Sequence, residues 1–482
     1  MRDFLLWCLT LFDHIVIVYF VVLNSILLLL MVVAAWAVAQ AGTRMTATEA
    51  DEIFASPFTP GISMIVPAFN EQVLIVESVR SMLDLKYPDL EVVIVDDGST
   101  DGTFAELRDA FDLEPAEYVL ADDVPHIGEV LSAHRSRRGD PLVVIRKANT
   151  GRRSDAINVG INATRKPLIG ITDADSVMDE SALLHMVQPF LEDPERMVAV
   201  GGTIRVVNGT TVAGGRVQSP SQPRTWLARI QVLEYLRSFL LGRVAWSKMN
   251  GLLIVSGAFG LFRRDVVVSA DGLDLDSLAE DAELVTRLHR DLRREGVDYR
   301  IGFTSEPVCW TEAPGTASQL RRQRRRWSRG LAELLWTHRS MIGNPRYGRI
   351  GLIVIPYYLL FELLGAVVEV TGFFVVLVGL GLGVVDIKFM LLFMVAAWVY
   401  GLLVSAATLA IEEFSYHRYE RWGDLGISVL ASVGEAVFYR PLHAVWRLEG
   451  LIAAIRKTES SWDPLQRTGF DSQEDSSKAS VS

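Results

Sequence analysis

Glu91-Val92-Val93-Ile94-Val95-Asp96-Asp97-Gly98-Ser99 is an apolar β-branched run that stops at two aspartates and a turn glycine. Residues 91–95 therefore read as a buried strand, with Gly98 and Ser99 in the turn and a helix expected from Thr103. The same pattern lies just upstream. Residues 63–67, ending at Pro67, form a strand that leads into Ala68-Phe69-Asn70-Glu71, with a helix expected over 70–83. Downstream, 142–145 and 168–171 are further strands, and 153–163 is the helix between them. This strand–helix alternation predicts an α/β class domain, a mostly parallel sheet with helices on both faces. In such sheets ligands bind at the carboxyl ends of the strands.

Chemistry-bearing residues gather at those ends. Asp96 and Asp97 can accept hydrogen bonds from ribose hydroxyls or a base, although Asp-Gly clusters are also common in plain turns. The strand 168–171 runs into Thr172-Asp173-Ala174-Asp175-Ser176. Residues two apart in an extended segment point the same way, so Asp173 and Asp175 can converge on one hard cation, Mg²⁺ or Mn²⁺. A solvated acidic turn is the plain alternative. Leu278-Ala279-Glu280-Asp281 opens a helical pattern over 282–290. Glu280 reads best as a helix-start cap, and Asp281 as either a cap or a general base.

The segment 319–330 carries Gln323, Arg326 and Trp327 at i, i+3 and i+4, so a helix puts them on one face. That face offers an amide, a guanidinium fork suited to phosphate and a ring suited to stacking on sugar. The remaining arginines of the run are expected to meet lipid headgroups.

Composition narrows the class. The chain has 482 residues, 50% of them apolar and 22% charged, with a net charge of −11. The overall acidity argues against a nucleic-acid partner. Two cysteines, Cys8 and Cys309, suggest neither a disulfide framework nor a zinc site. Apolar residues concentrate at the two ends. Residues 14–39 exceed the length needed to cross a bilayer of roughly 30 Å and read as an uncleaved anchor rather than a signal peptide. Residues 4–12 are a short apolar segment suited to the interface. Residues 350–380 and 389–411 are spanning candidates, and 425–445 is a weaker one because it carries Glu435 and Arg440. Glu362 and Glu369 lie inside the first of these. They either pair within the bundle or line a glycan passage. The expected domains are 1–42 as interfacial segment and transmembrane helix, 43–60 as linker, 61–347 as the catalytic domain, 348–446 as transmembrane helices, and 447–482 as a polar, partly disordered tail.

Four motifs in order (Asp-Asp-Gly-Ser, Asp-x-Asp, Glu-Asp and Gln-x-x-Arg-Trp) with apolar segments around them resemble the processive, membrane-integrated family 2 glycosyltransferases. These include cellulose, hyaluronan, chitin-oligosaccharide and poly-N-acetylglucosamine synthases, and the resemblance spans roughly residues 58–345. It implies a GT-A fold and inverting transfer from a UDP-sugar with Mg²⁺ or Mn²⁺. By that resemblance Asp96 and Asp97 contact the uridine, with Pro67, Asn70, Glu71 and Arg153 on the donor side. Asp173 and Asp175 hold the metal and diphosphate, and Asp281 is the base. Gln323 and Arg326 meet the diphosphate, and Trp327 floors the acceptor site. Residues 256–260, Ser-Gly-Ala-Phe-Gly, resemble the acceptor-side loop.

The segment 149–158 departs from the family's Gly-Gly-Lys pattern, with arginine in place of lysine and a register uncertain by one between Arg152 and Arg153. The lack of an appended receptor for a signalling nucleotide favours the amino-sugar polymer enzymes, so the expected sugar is N-acetylglucosamine. The implied partners are a UDP-sugar, a glycan acceptor and membrane lipid, and accessory secretion subunits are left open. The implied location is the bacterial inner (plasma) membrane, multi-pass, with the catalytic domain cytoplasmic. Two alternatives keep the fold: a non-processive enzyme adding one sugar to a lipid, and a catalytically silent polymer-passage subunit.

Overall fold

The computed structural model describes residues 2–41, 47–219, 221–383, 385–416 and 422–457. The described residues divide into two compact units, one within 41–235 and 247–315, the other within 2–40, 236–246 and 316–457.

The first unit is built on a ten-stranded sheet. Its strands are β1 (Ile62–Ala68), β2 (Leu90–Asp96), β3 (Leu113–Pro115), β4 (Val130–Ser136), β5 (Leu142–Lys147), β6 (Leu168–Thr172), β7 (Val177–Met178), β8 (Met197–Val206), β11 (Phe259–Arg263) and β12 (Arg300–Thr311). β9 (Thr211–Ala213) and β10 (Arg216–Ser219) form a separate hairpin. The sheet order is β3-β4-β5-β2-β1-β6-β11-β8-β12-β7. The core β5-β2-β1-β6 is parallel, and β8 pairs parallel with β12. β4 and β11 join the parallel core antiparallel.

The parallel strands are near-continuous apolar runs because both faces are covered. On one face the helix Arg153–Ala163 packs so closely on β1 that a Cβ at Gly160 would lie 2.3 Å from Ile65 Cγ2. The order reverses around β1, whose successor β2 lies on one side and β6 on the other. Such a switch point opens a crevice at the carboxyl ends of the strands.

Three expected boundaries change. Asn70 has φ 56°, a left-handed conformation that a helix interior excludes, so the helix expected over 70–83 begins at Ile75. The linker 43–60 contains a helix, Ala47–Ala55, whose Ile53 is buried and whose Ile53 carbonyl accepts from Thr59 Oγ1 at 2.6 Å. The tail expected from 447 is helical to Ile455, because Arg440–Ile455 is one helix. Its last part, 458–482, lies outside the described residues, as do linker residues 43–46.

The second unit is helical. Two of its segments, His14–Gln40 with 27 residues and Ile350–Gly381 with 32, are long and apolar enough to cross a membrane by length and composition. Ile350–Gly381 is not one regular helix: π-helical turns at Ile350–Val354 and Tyr358–Leu363 precede the α-helix Gly365–Gly381. The helix Ile387–Tyr416 contains the expected segment 389–411. Residues 316–347 group with this unit rather than with the sheet, because the helix Ala317–Thr337 packs along Arg440–Ile455. A Cβ at Gly450 would lie 2.4 Å from the Arg325 carbonyl oxygen, and Ser328 Oγ donates to the Arg447 carbonyl at 2.7 Å. Arg237 donates to Glu435 (Nη1 to Oε2, 2.8 Å) and to Ser405 Oγ (3.0 Å). Glu362 lies 3.5 Å from Arg447, an ion pair within the bundle.

Candidate active site

The carboxyl ends of β1, β2, β5 and β6 converge on one rim. After β1, the backbone N–H of Asn70 donates to Ser99 Oγ at 3.0 Å, and Asn70 Oδ1 accepts from the Thr100 N–H at 2.8 Å. The Glu71 N–H donates to Thr103 Oγ1 at 2.9 Å. Two loops that the sequence separates by about thirty residues are thereby fastened to each other. Gly98 makes this possible: its φ is +67°, and a Cβ there would approach Asn149 N to 2.9 Å.

Asp96 and Asp97 are both buried at the end of β2. Asp96 Oδ1 accepts from the Ser99 N–H at 3.0 Å, and Arg146 Nε lies 3.3 Å from Oδ2. Asp97 is paired with Lys147 at the end of β5. Burial pushes the Asp97 carboxyl up to about 6, against the downward pull of Lys147.

Arg153 is the hub of the next cluster. Its Nη2 donates to Asp173 Oδ1 at 2.6 Å and to the Gly257 carbonyl at 2.9 Å, and its Nη1 to Glu280 Oε1 at 2.7 Å. Burial alone would lower its pKa, but the charges of Asp173 and Glu280 prevail and raise it. Arg152 instead pairs with exposed Asp276 at 3.0 Å. Glu280 does more than sit at a helix start. It is the first residue of the helix Glu280–Glu295, is buried, and spends its carboxylate on Arg153. Burial holds the Glu280 carboxyl above the usual range, with Arg153 opposing and Asp281 reinforcing.

Asp281 accepts from the Gly257 N–H through Oδ2 at 2.9 Å and from the Ala282 N–H through Oδ1 at 2.8 Å. The loop supplying Gly257 is itself tied to the end of β6, because Thr172 Oγ1 donates to the Ala258 carbonyl at 2.7 Å. Arg153, Asp173, Gly257, Glu280 and Asp281 therefore form one connected cluster.

Asp173 and Asp175 differ from expectation in shape. They sit in a turn closed by the Ser176 N–H donating to the Asp173 carbonyl at 3.2 Å, not in an extended segment. Asp173 is partly open, with 36% of its side chain exposed, while Asp175 is buried. Burial raises the Cys309 thiol pKa, and the charges of Asp173 and Asp175 raise it further. Among the described residues no group of three or more His, Cys, Asp or Glu is placed to hold a metal. The pair suits a cation that takes one or two carboxylates and completes its shell with phosphate and water, as Mg²⁺ does.

Residues 60–330 match the family described as "Glycosyltransferase like family 2", which is more than half of the chain. The chain belongs to the family 2 glycosyltransferases. Its sheet unit is accordingly a GT-A domain. The chain is 28% identical to a poly-beta-1,6-N-acetyl-D-glucosamine synthase of Staphylococcus epidermidis over 275 residues, 57% of this chain and 55% of that protein. It is 28% identical to the synthase of the same name from Staphylococcus aureus (strain COL) over 323 residues, 67% and 64% of the two chains. The match thus spans little more than half the length of the first of these curated relatives. Among solved structures, a mannosyltransferase of Pyrobaculum calidifontis in complex with GDP-Man and Mn²⁺ is similar at 18% identity and a TM-score of 0.49, covering 91% of this chain and 100% of that one.

The Gln-x-x-Arg-Trp residues of this family 2 chain lie on the helix Ala317–Thr337 in the helical unit. Gln323 is buried, and Trp327 is 45% exposed. Three neighbouring arginines have partners on their own unit. Arg324 is buried over the Trp327 ring at 4.5 Å, Arg321 pairs with Glu449 at 2.7 Å, and Arg329 with Glu333 at 2.7 Å. Sequence reading missed Lys147 and the Arg153 partnership of Glu280. Lys147, ending an apolar strand beside Arg146 and between acidic motifs, carried a readable signal. Glu280 did not, since its partner is 127 residues away.

Proposed function

We propose that this chain is an inverting glycosyltransferase that moves N-acetylglucosamine from UDP-N-acetylglucosamine to a growing β-linked polysaccharide at the membrane. The observation that carries it is the carboxylate of Asp281, held at the crevice rim by the Gly257 N–H beside Arg153, Glu280 and Asp173. The sugar is suggested by the names of the relatives.

In this mechanism Asp281 accepts the proton of an acceptor hydroxyl as that oxygen attacks the anomeric carbon. Two backbone N–H donors fix the carboxylate, so its orientation is set before the acceptor arrives. Attack opposite the leaving diphosphate inverts the anomeric centre and turns an α-linked donor into a β-linked product. Asp96 and Asp97 accept hydrogen bonds from the uridine. Asp173 and Asp175 would hold Mg²⁺ or Mn²⁺, which when bound neutralises charge on the diphosphate. Arg153 keeps the carboxylates of Asp173 and Glu280 together without mutual repulsion. The roles implied for Gln323 and Arg326 at the diphosphate, and for Trp327 at the acceptor, belong to the same proposal. So does a multi-pass location in the inner membrane with the sheet unit cytoplasmic, supported by the two long apolar segments.

The test is UDP release from detergent-purified protein with Mg²⁺ or Mn²⁺, screened over UDP-N-acetylglucosamine, UDP-glucose and UDP-glucuronate, with products sized by mass. Release with the first donor and a ladder of products supports the proposal. A single-sugar lipid product establishes the non-processive alternative, and no release with any donor contradicts enzymatic transfer from these sugars.

A further inference from the structure

Lys147 is fully buried at the last position of β5, where a cation is costly unless each of its donors is met. An ammonium has three N–H donors, and here three acceptors surround it. They are the Asp97 carboxylate, Asp155 Oδ2 at 2.9 Å and the Ala148 carbonyl at 2.8 Å. The fit is tight: a Cβ at Gly128 would lie 2.6 Å from Lys147 Nζ.

The two carboxylates are not equivalent. Asp155, on the helix Arg153–Ala163, also accepts from the Ile127 N–H at 2.6 Å, the Gly128 N–H at 3.1 Å and Thr150 Oγ1 at 2.9 Å. Burial raises its pKa, but these donors together with Lys147 bring it below the usual range. Asp97 has Lys147 as its charged partner and feels the negative charges of Asp155 and Asp96. Asp96 is in turn beside Arg146. One ammonium is thus shared between a carboxylate that is otherwise satisfied and one that is not.

We infer that Lys147 is a positioning residue for the donor site: it keeps Asp97 ionised and aimed at the nucleotide, and it locks that carboxylate to the helix that carries Arg153. The inference rests on Asp97 being a nucleotide ligand. It gives Lys147 a defined electrostatic task beyond filling space, because the proton affinity of Asp97 sets how well it accepts from the uridine. Below about pH 6 Asp97 takes up a proton and loses that capacity.

The experiment is UDP binding by calorimetry to the full chain in detergent with Mg²⁺, from pH 5 to 8. Wild type is compared with Lys147→Met, Asp155→Asn and Asp97→Asn. UDP itself titrates in this range, but identically for every variant. Wild-type affinity is expected to fall as pH drops through about 6. Lys147→Met should move that midpoint up by about one unit or more, weakening binding at pH 7 about twofold for a rise of about one unit and about tenfold for about two. Asp155→Asn should move it down, since a competing negative charge is gone and Lys147 is left to Asp97. Opposite shifts are not what a purely structural role produces. An unmoved midpoint in folded Lys147→Met overturns the inference. If that variant does not fold, Asp155→Asn decides alone, and a midpoint that stays or rises overturns it. Undiminished UDP binding by Asp97→Asn removes Asp97 from the donor site, and the inference with it, whatever the other two variants show.

Discussion

Asp281 Oδ2 accepts from the Gly257 N–H at 2.9 Å, joining a helix start to a loop 24 residues earlier. The same glycine's carbonyl accepts from Arg153 Nη2, also at 2.9 Å. One residue of the loop therefore reads both the proposed base and the arginine that gathers Asp173 and Glu280.

Arg153→Met should leave the buried carboxylate of Glu280 and the neighbouring charges of Asp173 and Asp281 without a counter-charge. Removing one partner of a buried ion pair costs about 3–5 kcal/mol. Chemical denaturation in detergent is expected to show a loss of that order. Arg153→Lys keeps the charge, yet one ammonium replaces a fork that spans two carboxylates and a carbonyl. It should be more stable than Arg153→Met and still slower in UDP release than wild type. Equal stability of the two variants would show that charge is not what the site requires.

His289 should make the sheet unit acid-sensitive. Its ring is buried between Tyr299 and the Leu252 carbonyl, and burial lowers its pKa to about 4. An unfolded histidine titrates near ~6.5. Between these values the unfolded chain binds the extra proton, so stability falls as pH drops from about 6.5 to about 4, by up to roughly 3 kcal/mol. His289→Gln should lower stability at neutral pH but flatten this dependence. Thermal melting from pH 7 to pH 4.5 checks it, and identical slopes for the two proteins would contradict the assignment.

Gly160→Ala should destabilise the protein through contact rather than chemistry. The added methyl meets Ile65 Cγ2 at 2.3 Å in the packed core, and overpacking of this kind costs about 1–3 kcal/mol. Combining it with Ile65→Ala should recover part of that cost, so the double variant should melt above the value obtained by adding the two single losses.

The strands of the parallel core were legible because each is an apolar run ending in turn residues, as at Val95-Asp96-Asp97-Gly98. The helix Arg153–Ala163 matches its expected bounds, and the acidic motifs fall at the strand ends where the pattern put them. What stayed hidden depends on three-dimensional partners. Glu280 at a helix start obeys the local rule for a cap, and its pairing with the distant Arg153 leaves no local trace. Arg324 looks like one more surface charge until it is found buried over Trp327. The left-handed Asn70 delays its helix because the loop after β1 must reach Ser99 and Thr100.

The most direct measurement is UDP release from UDP-N-acetylglucosamine by wild type and Asp281→Asn side by side, with UDP affinity measured on the same samples. The two backbone bonds to Asp281 can survive in part, because an asparagine oxygen still accepts. Release should fall by about 10²-fold or more, the scale of a lost general base, while UDP affinity stays within about twofold. Full release by Asp281→Asn would contradict the proposed base and the mechanism built on it.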